Sequence, residues 1–286
     1  MTWLVWAGVM FAGSVALYVT VRRSTQSGVP QAQTNLAMFA VPLLVYLAMA
    51  TVQSTPMQIS WRHAVIIIGA AFFFAYLGNV ASLRSIGAAP NAGYSLVLSK
   101  SYVLFTTVIA VVFLDADLSP RRLAAIVAIV GFAALIMVNR SGAKYFDGRH
   151  WIWTAMYAFF AWGLLSLSSK YLFARSVPTL TFLVYLYMLV TLCILLFDRR
   201  RLRLDMNSVA RFAPLLLATG VFSAFFNLGQ FEAIRLAPNV GYVNAINAAS
   251  IAVVTLLSAL FFHDDLTCSK LVGVIGVIAG LLVLVV

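Results

Sequence analysis

The sequence predicts an all-α, polytopic membrane protein: ten transmembrane helices arranged as two inverted five-helix repeats. Three observations carry that prediction. Of 286 residues, 63% are apolar and only 9% are charged, against about 45–50% and about 25% in soluble domains. The apolar residues gather into ten runs, each long enough to cross a bilayer. The second half of the chain also repeats the first at one constant offset.

Composition excludes most alternatives. So few charged residues cannot cover a water-soluble domain of this size, and a disordered chain needs the opposite balance. The net charge of +11 belongs to short loops, where membrane proteins collect Lys and Arg against anionic lipid. No basic stripe interleaved with stacking aromatics is present, so no nucleic-acid partner is expected. The two cysteines, Cys193 and Cys268, lie in no metal-binding or redox spacing and read as packing residues. The opening residues carry no basic stretch ahead of the apolar run, so residues 2–21 read as a true span rather than a cleaved leader.

The runs fall near 2–21, 34–52, 62–83, 91–114, 121–138, 151–171, 179–197, 210–234, 239–262 and 269–286. About 20 apolar residues span the hydrocarbon as a helix, and backbone groups there must be satisfied within the segment. A transmembrane barrel would instead show segments of about 10 residues with alternating polarity.

A shift of 148 residues aligns the halves. Asn79, Ile86, Ala89, Pro90, Asn91, Gly93 and Tyr94 recur as Asn227, Ile234, Ala237, Pro238, Asn239, Gly241 and Tyr242. Without a gap, Trp3 also meets Trp151, Pro30 meets Pro178, and Asp117-Leu118 meets Asp265-Leu266. The expected division is a first repeat over residues 1–138, a connecting loop over 139–150 and a second repeat over 151–286. Five spans per repeat is an odd number, so the second repeat enters from the opposite side. Secondary transporters commonly share that architecture, with the substrate site near the midplane. Loops on the side of both termini carry six basic residues and the opposite loops carry twelve, which favours both termini outside.

Several residues resemble the drug/metabolite transporter superfamily in its EamA-like branch. They are Ala161-Trp162-Gly163 with Lys170, the pair Ala89–Tyr94 and Ala237–Tyr242, and Asp264-Asp265-Leu266-Thr267 followed by Gly273 and Gly276. The likeness covers essentially the whole chain. It departs at Ala116, where the family's turn is acidic, and at Trp6-Ala7-Gly8, where the family has Trp-Gly. The resemblance implies a multi-pass carrier of a small metabolite in the inner cell membrane. It also implies both termini in the cytoplasm, against the charge count.

Lys100 is the sharpest site candidate. It lies about 13 Å along the helix from Asn91, at about 1.5 Å per residue. A cation at such depth costs about 2.5–3.5 kcal/mol or more and usually serves function. Its charge suits an anionic or zwitterionic substrate. The equivalent position is Ala248, so the two-fold is broken there. Ser95, Ser99, Lys100, Tyr102, Thr106 and Thr107 share one helical arc of about 140°. Asn244, Asn247, Ser250, Thr255 and Ser258 occupy a nearly matching arc in the ninth span. Both arcs are expected to face a shared lumen, with interhelical hydrogen bonding as the structural alternative. Asn79 and Asn227 are expected to line the path, and Arg84 and Glu232 to pair or gate across the pseudo-axis.

Pro90 and Pro238 are expected to begin helices. Gly276 and Gly280 form a small-residue motif for close packing, with a homodimer as its second use. Trp3, Trp61, Trp151 and Trp153 read as interfacial anchors. Enzyme chemistry has no support: His63, His150 and His263 are far apart, no metal-ligand cluster is at spacing, and no nucleophile elbow or phosphate loop appears. No metal and no cofactor are expected.

The reading is a secondary transporter moving a small polar metabolite, first of all an amino acid or another zwitterion or anion, by alternating access. The alternative is a flippase for an anionic lipid or lipid-linked head group. Membrane lipids and the small-molecule substrate are the expected partners.

Overall fold

The computed structural model describes residues 2–88, 92–137, 150–200, 202, 206–262 and 266–285. Among them there is no strand, and ten helices are long and apolar enough to cross a membrane. The chain is an integral, multi-pass membrane protein of all-α fold. Its helices are α1 (Trp3–Gln26), α2 (Gln31–Val52), α3 (Trp61–Gly69), α4 (Leu77–Ala88), α5 (Ala92–Lys100) and α6 (Tyr102–Leu114). They continue as α7 (Pro120–Met137), α8 (His150–Ala174), α9 (Thr179–Phe197), α10 (Met206–Leu236), α11 (Val240–Phe262) and α12 (Cys268–Val285).

The ten spans match the ten apolar runs, with two interruptions that hydropathy does not announce. The third span joins α3 to α4 through a π-helical stretch, Ala70–Tyr76. The fourth span breaks at Ser101 between α5 and α6. Ser101 Oγ donates to the carbonyl of Val97 at 2.7 Å, the kind of back-bond that bends a membrane helix. Trp61 and Trp153 are 73% and 74% exposed at span starts, as interfacial anchors require.

The chain forms two compact units, Met1–Phe72 with Ser168–Arg235, and Phe73–Leu167 with Leu236–Val286. Each unit draws on both halves of the sequence.

Lipid removes most of the hydrophobic force between helices, so small residues and internal hydrogen bonds must hold them. In the first unit, α1 and α10 touch backbone to backbone. A Cβ added at Gly229 would lie 2.5 Å from the Met10 nitrogen, and one at Gly13 would lie 2.7 Å from the Phe226 nitrogen. Tyr46 of α2 meets Tyr187 of α9 edge to face at 5.2 Å and donates its hydroxyl to the carbonyl of Ala224 at 2.8 Å. Thr181 and Tyr185 of α9 donate to the carbonyls of Pro56 and Met57 at 2.9 and 2.8 Å, tying down the segment after α2. Lys170 Nζ donates to the carbonyls of Ile234 and Arg235 at 3.0 and 3.1 Å. It thereby caps the C-terminal end of α10, where a cation meets the negative end of the helix dipole.

In the second unit, α12 lies against α7 through Gly273, Gly276 and Gly280, which face Phe132, Ile136 and Ile129. The small-residue motif of the last span is thus used within the chain. The repeated Pro-Asn-x-Gly-Tyr motif also has a structural meaning in its second copy. Asn239 Oδ1 accepts from the Gly241 N–H at 2.8 Å and caps α11. Pro238 precedes that cap instead of beginning the helix. Gly241 admits Thr107, which would clash with any Cβ. The Tyr242 hydroxyl and Asn239 Nδ2 both donate to the carbonyl of Asp117, at 2.6 and 3.3 Å. Ala89, Pro90 and Asn91 of the first copy lie outside the described residues, as do His263, Asp264 and Asp265.

Because the atoms opposite Gly229 are backbone, they cannot yield to a new methyl. Gly229→Ala should lower stability in detergent by about 1–3 kcal/mol, read as a lower thermal midpoint. Gly8 on the facing helix has nothing within 4 Å of an added Cβ, so Gly8→Ala should leave the midpoint unchanged or raised. Equal effects at the two positions would refute the close contact of α1 and α10.

Candidate functional site

The second unit holds the fullest group of candidate residues. Lys100 ends α5, immediately before the break at Ser101. Its ammonium lies 4.7 Å from the centre of the Trp162 ring on α8. Tyr102, the first residue of α6, sets its ring edge-on to the same indole at 6.2 Å. A cation over an indole face gains about 0.5–1 kcal/mol when exposed and about 2 or more when desolvated. The contact thus offsets part of what the charge costs at this depth, while lending the half-buried ammonium a fixed direction.

The neighbours of Trp162 make this placement specific. A Cβ at Gly163 would strike the Phe105 ring at 2.5 Å, and Ala161 backs onto Gly78. Small residues on both sides of Trp162 therefore let α8 approach closely enough for its indole to reach Lys100. The lysine stem borders a narrow crevice with Val97, Ser101, Val130, Ala133 and Ala248. At about 10 Å³ the crevice holds no more than a water molecule. Ala248, the position equivalent to Lys100 by the 148-residue offset, lines it too.

The polar arcs of the fourth and ninth spans do meet, as a closed seam at this level. Asn244 Nδ2 donates to Thr106 Oγ1 at 3.1 Å, and both residues are 0% exposed. Thr106 and Thr107 return their hydroxyl protons to the carbonyl of Val103 at 3.0 and 2.8 Å. Asn244 Oδ1 is buried with no partner among the described residues. Asn247 is buried one turn further along α11, and Ser250 donates to its carbonyl at 2.7 Å. Ser99 is buried with its hydroxyl 3.3 Å from the carbonyl of Leu96. Thus Thr106 and Asn244 follow the hydrogen-bonding alternative to a lumen.

The remaining candidates are on α4 and α10. Asn79 is half-buried on α4, and Arg84 is exposed on the same helix. In the first unit, Asn227 Nδ2 donates to the carbonyl of Ser223 at 2.8 Å, one turn back on its own helix. Glu232, expected to pair with Arg84, gives its carboxylate to Arg235 at 2.6 Å. The physical reason is proximity: residues three apart on a helix are neighbours. Trp162 is the site residue that sequence reasoning missed as a partner of Lys100, since nothing in the sequence announces a contact between two spans. Among the described residues no group of three or more His, Cys, Asp or Glu could hold a metal.

The seam between α6 and α11 generates a double-mutant test. Thr106→Val should destabilise the protein by about 0.5–1.5 kcal/mol, because it leaves the Asn244 amide buried without its acceptor. Adding Asn244→Leu should recover part of that loss. Strictly additive thermal midpoints would show that the two side chains do not interact.

Comparison with known proteins fits this picture. A solved crystal structure superposes with a TM-score of 0.76 over 97% of this chain and 96% of the other, at 13% identity. At that identity the likeness speaks for the fold alone. A search of curated proteins finds no match. Residues 149–286 match the model of the EamA-like transporter family. This second half of the chain is thus similar to the EamA-like transporter family, membrane transporters of small molecules.

Proposed function

We propose that the protein is a secondary transporter of the inner cell membrane. It moves a small polar metabolite, an amino acid or another zwitterion or anion in the first instance, by alternating access. The observation that carries the reading is Lys100, an ammonium at membrane depth held against Trp162 with Tyr102 beside the same ring. An intramembrane cation is expensive and persists where it serves a function. Here it meets a substrate carboxylate or phosphate by charge, while Trp162 and Tyr102 bound the adjoining apolar surface.

Two further features support the reading. The 148-residue repeat, with five spans in 1–138 and five in 151–286, is the pattern expected of inverted halves that exchange inward and outward openings. Ala248 stands opposite its equivalent, Lys100, across one crevice, so the pair presents one charged and one apolar wall. A non-symmetric substrate needs such asymmetry. Asn244 Oδ1, buried without a partner, supplies an acceptor that a substrate donor would satisfy when the seam opens.

The test is uptake into proteoliposomes loaded with the purified protein, run with labelled amino acids, sugar phosphates and nucleotides. Lys100→Gln should reduce transport of the accepted solute by about tenfold or more, the effect of losing one charge-assisted contact. Lys100→Arg should retain part of it. If Lys100→Gln transports at the wild-type rate, Lys100 is structural. If only anionic lipids are moved or stabilise the protein, the solute-carrier reading gives way to lipid translocation.

A further inference from the structure

The first unit contains a cavity of about 410 Å³ that the Lys100 site does not use. Its lining includes Gln53, Thr55, Ser176, Thr179, Glu232 and Arg235. These residues come from the C-terminal ends of α2, α8 and α10 and the N-terminal end of α9. Successive spans cross in alternating directions, so all four helix ends lie on one side of the membrane, the side where α1 begins. Ligand sites run from about 300 to about 1,000 Å³, which puts this cavity at metabolite size.

Its chemistry has two signs and a buried hydroxyl without a partner among the described residues. Arg235 donates from Nε and Nη2 to the same oxygen, Glu232 Oε2, at 2.9 and 2.6 Å. Glu232 Oε1 is left to accept another donor, and the Arg235 side chain, 43% exposed, keeps further N–H groups to donate. Pro178 stands at the N-cap of α9 and supplies no side-chain hydrogen bond. The first-turn N–H groups of that helix and its positive dipole end therefore favour an anion. Thr179, the first residue of α9, is 4% exposed, and its hydroxyl has no partner among the described residues. Thr20, Thr51, Thr107 and Thr219 each donate to the carbonyl four residues earlier. Thr179 has no helical carbonyl at that distance, so its hydroxyl is left for something else.

We propose that this cavity is a second binding site, a vestibule at the membrane surface that takes a small zwitterion before it enters the transport path. The proposal rests on the transporter reading above. The carboxylate of the ligand lies between Arg235 and the start of α9, with Thr179 as a donor, and its ammonium lies on Glu232 Oε1. A plain anion would face the Glu232 carboxylate, and a plain cation would face Arg235. Only a molecule with both charges satisfies both.

The experiment is calorimetric titration of the full chain in detergent. The probes are L-amino acids with uncharged side chains, each beside the carboxylic acid that lacks its amino group. Thr179→Val should weaken amino-acid binding by about tenfold, the loss of one hydrogen bond to a charged group. Its thermal midpoint without ligand should stay level or rise, because the hydroxyl it removes is unpaired. Glu232→Gln should erase the preference for the amino acid over its deaminated analogue. Lys100→Gln should leave this binding in place. If Thr179→Val and Glu232→Gln bind as the wild type does and only Lys100→Gln loses binding, the vestibule falls while the transport reading stands. If no amino acid binds the wild type, the vestibule falls as well, and the proteoliposome assay with other metabolites decides the transport reading separately. Should Glu232→Gln fail to fold, Thr179→Val alone carries the test.

Discussion

Everything in this fold depends on how helices adhere in a solvent as apolar as their own side chains. Apolar surface gains little by leaving lipid for protein, so helix contact must come from close fit and from hydrogen bonds. The chain meets that constraint with glycine. Gly13 and Gly229 bring α1 and α10 to backbone distance, and Gly273, Gly276 and Gly280 do the same for α12 on α7. Polar side chains add hydrogen bonds to this close fit. Tyr46 reaches the carbonyl of Ala224, and Asn244 reaches Thr106.

The same constraint shapes the site. A lysine inside the bilayer must find partners within the protein, and Lys100 finds the face of Trp162. That contact exists because Ala161 and Gly163 flank the indole with almost no bulk. Packing and charge are therefore one design: the residues that let α8 approach also deliver the aromatic face that the cation requires. Lys170 solves its own version of the problem at a helix end, where the last carbonyls of α10 stand in for water.

Part of the candidate site can be read along single helices, and the part that cannot has a common cause. The depth of Lys100 follows from counting residues along a span. The end of α10 was also in reach, since Glu232 and Arg235 are three residues apart on one helix and pair there. The polar arcs of the fourth and ninth spans were visible as periodicity. Whether Thr106 and Asn244 line a space or bond across a seam was not, because periodicity gives direction around a helix and not the distance to the next one. The break at Ser101 and the π-helical stretch at Ala70–Tyr76 stayed hidden as well. Each shifts backbone hydrogen bonds without changing hydropathy.

The amino-acid sequence by itself determined the solvent, the number of spans and the internal repeat, because lipid burial and duplication leave their marks residue by residue. It also placed an isolated charge deep in the fourth span. Only the tertiary structure decided which partners those residues have: Trp162 for Lys100, Thr106 for Asn244, Arg235 for Glu232. Only the structure, too, gathered four helix ends around Thr179 into one cavity. The reason is physical. Spans are written in local composition, whereas contacts between spans depend on the rotation and approach of whole helices, which small residues permit at positions no single helix can specify.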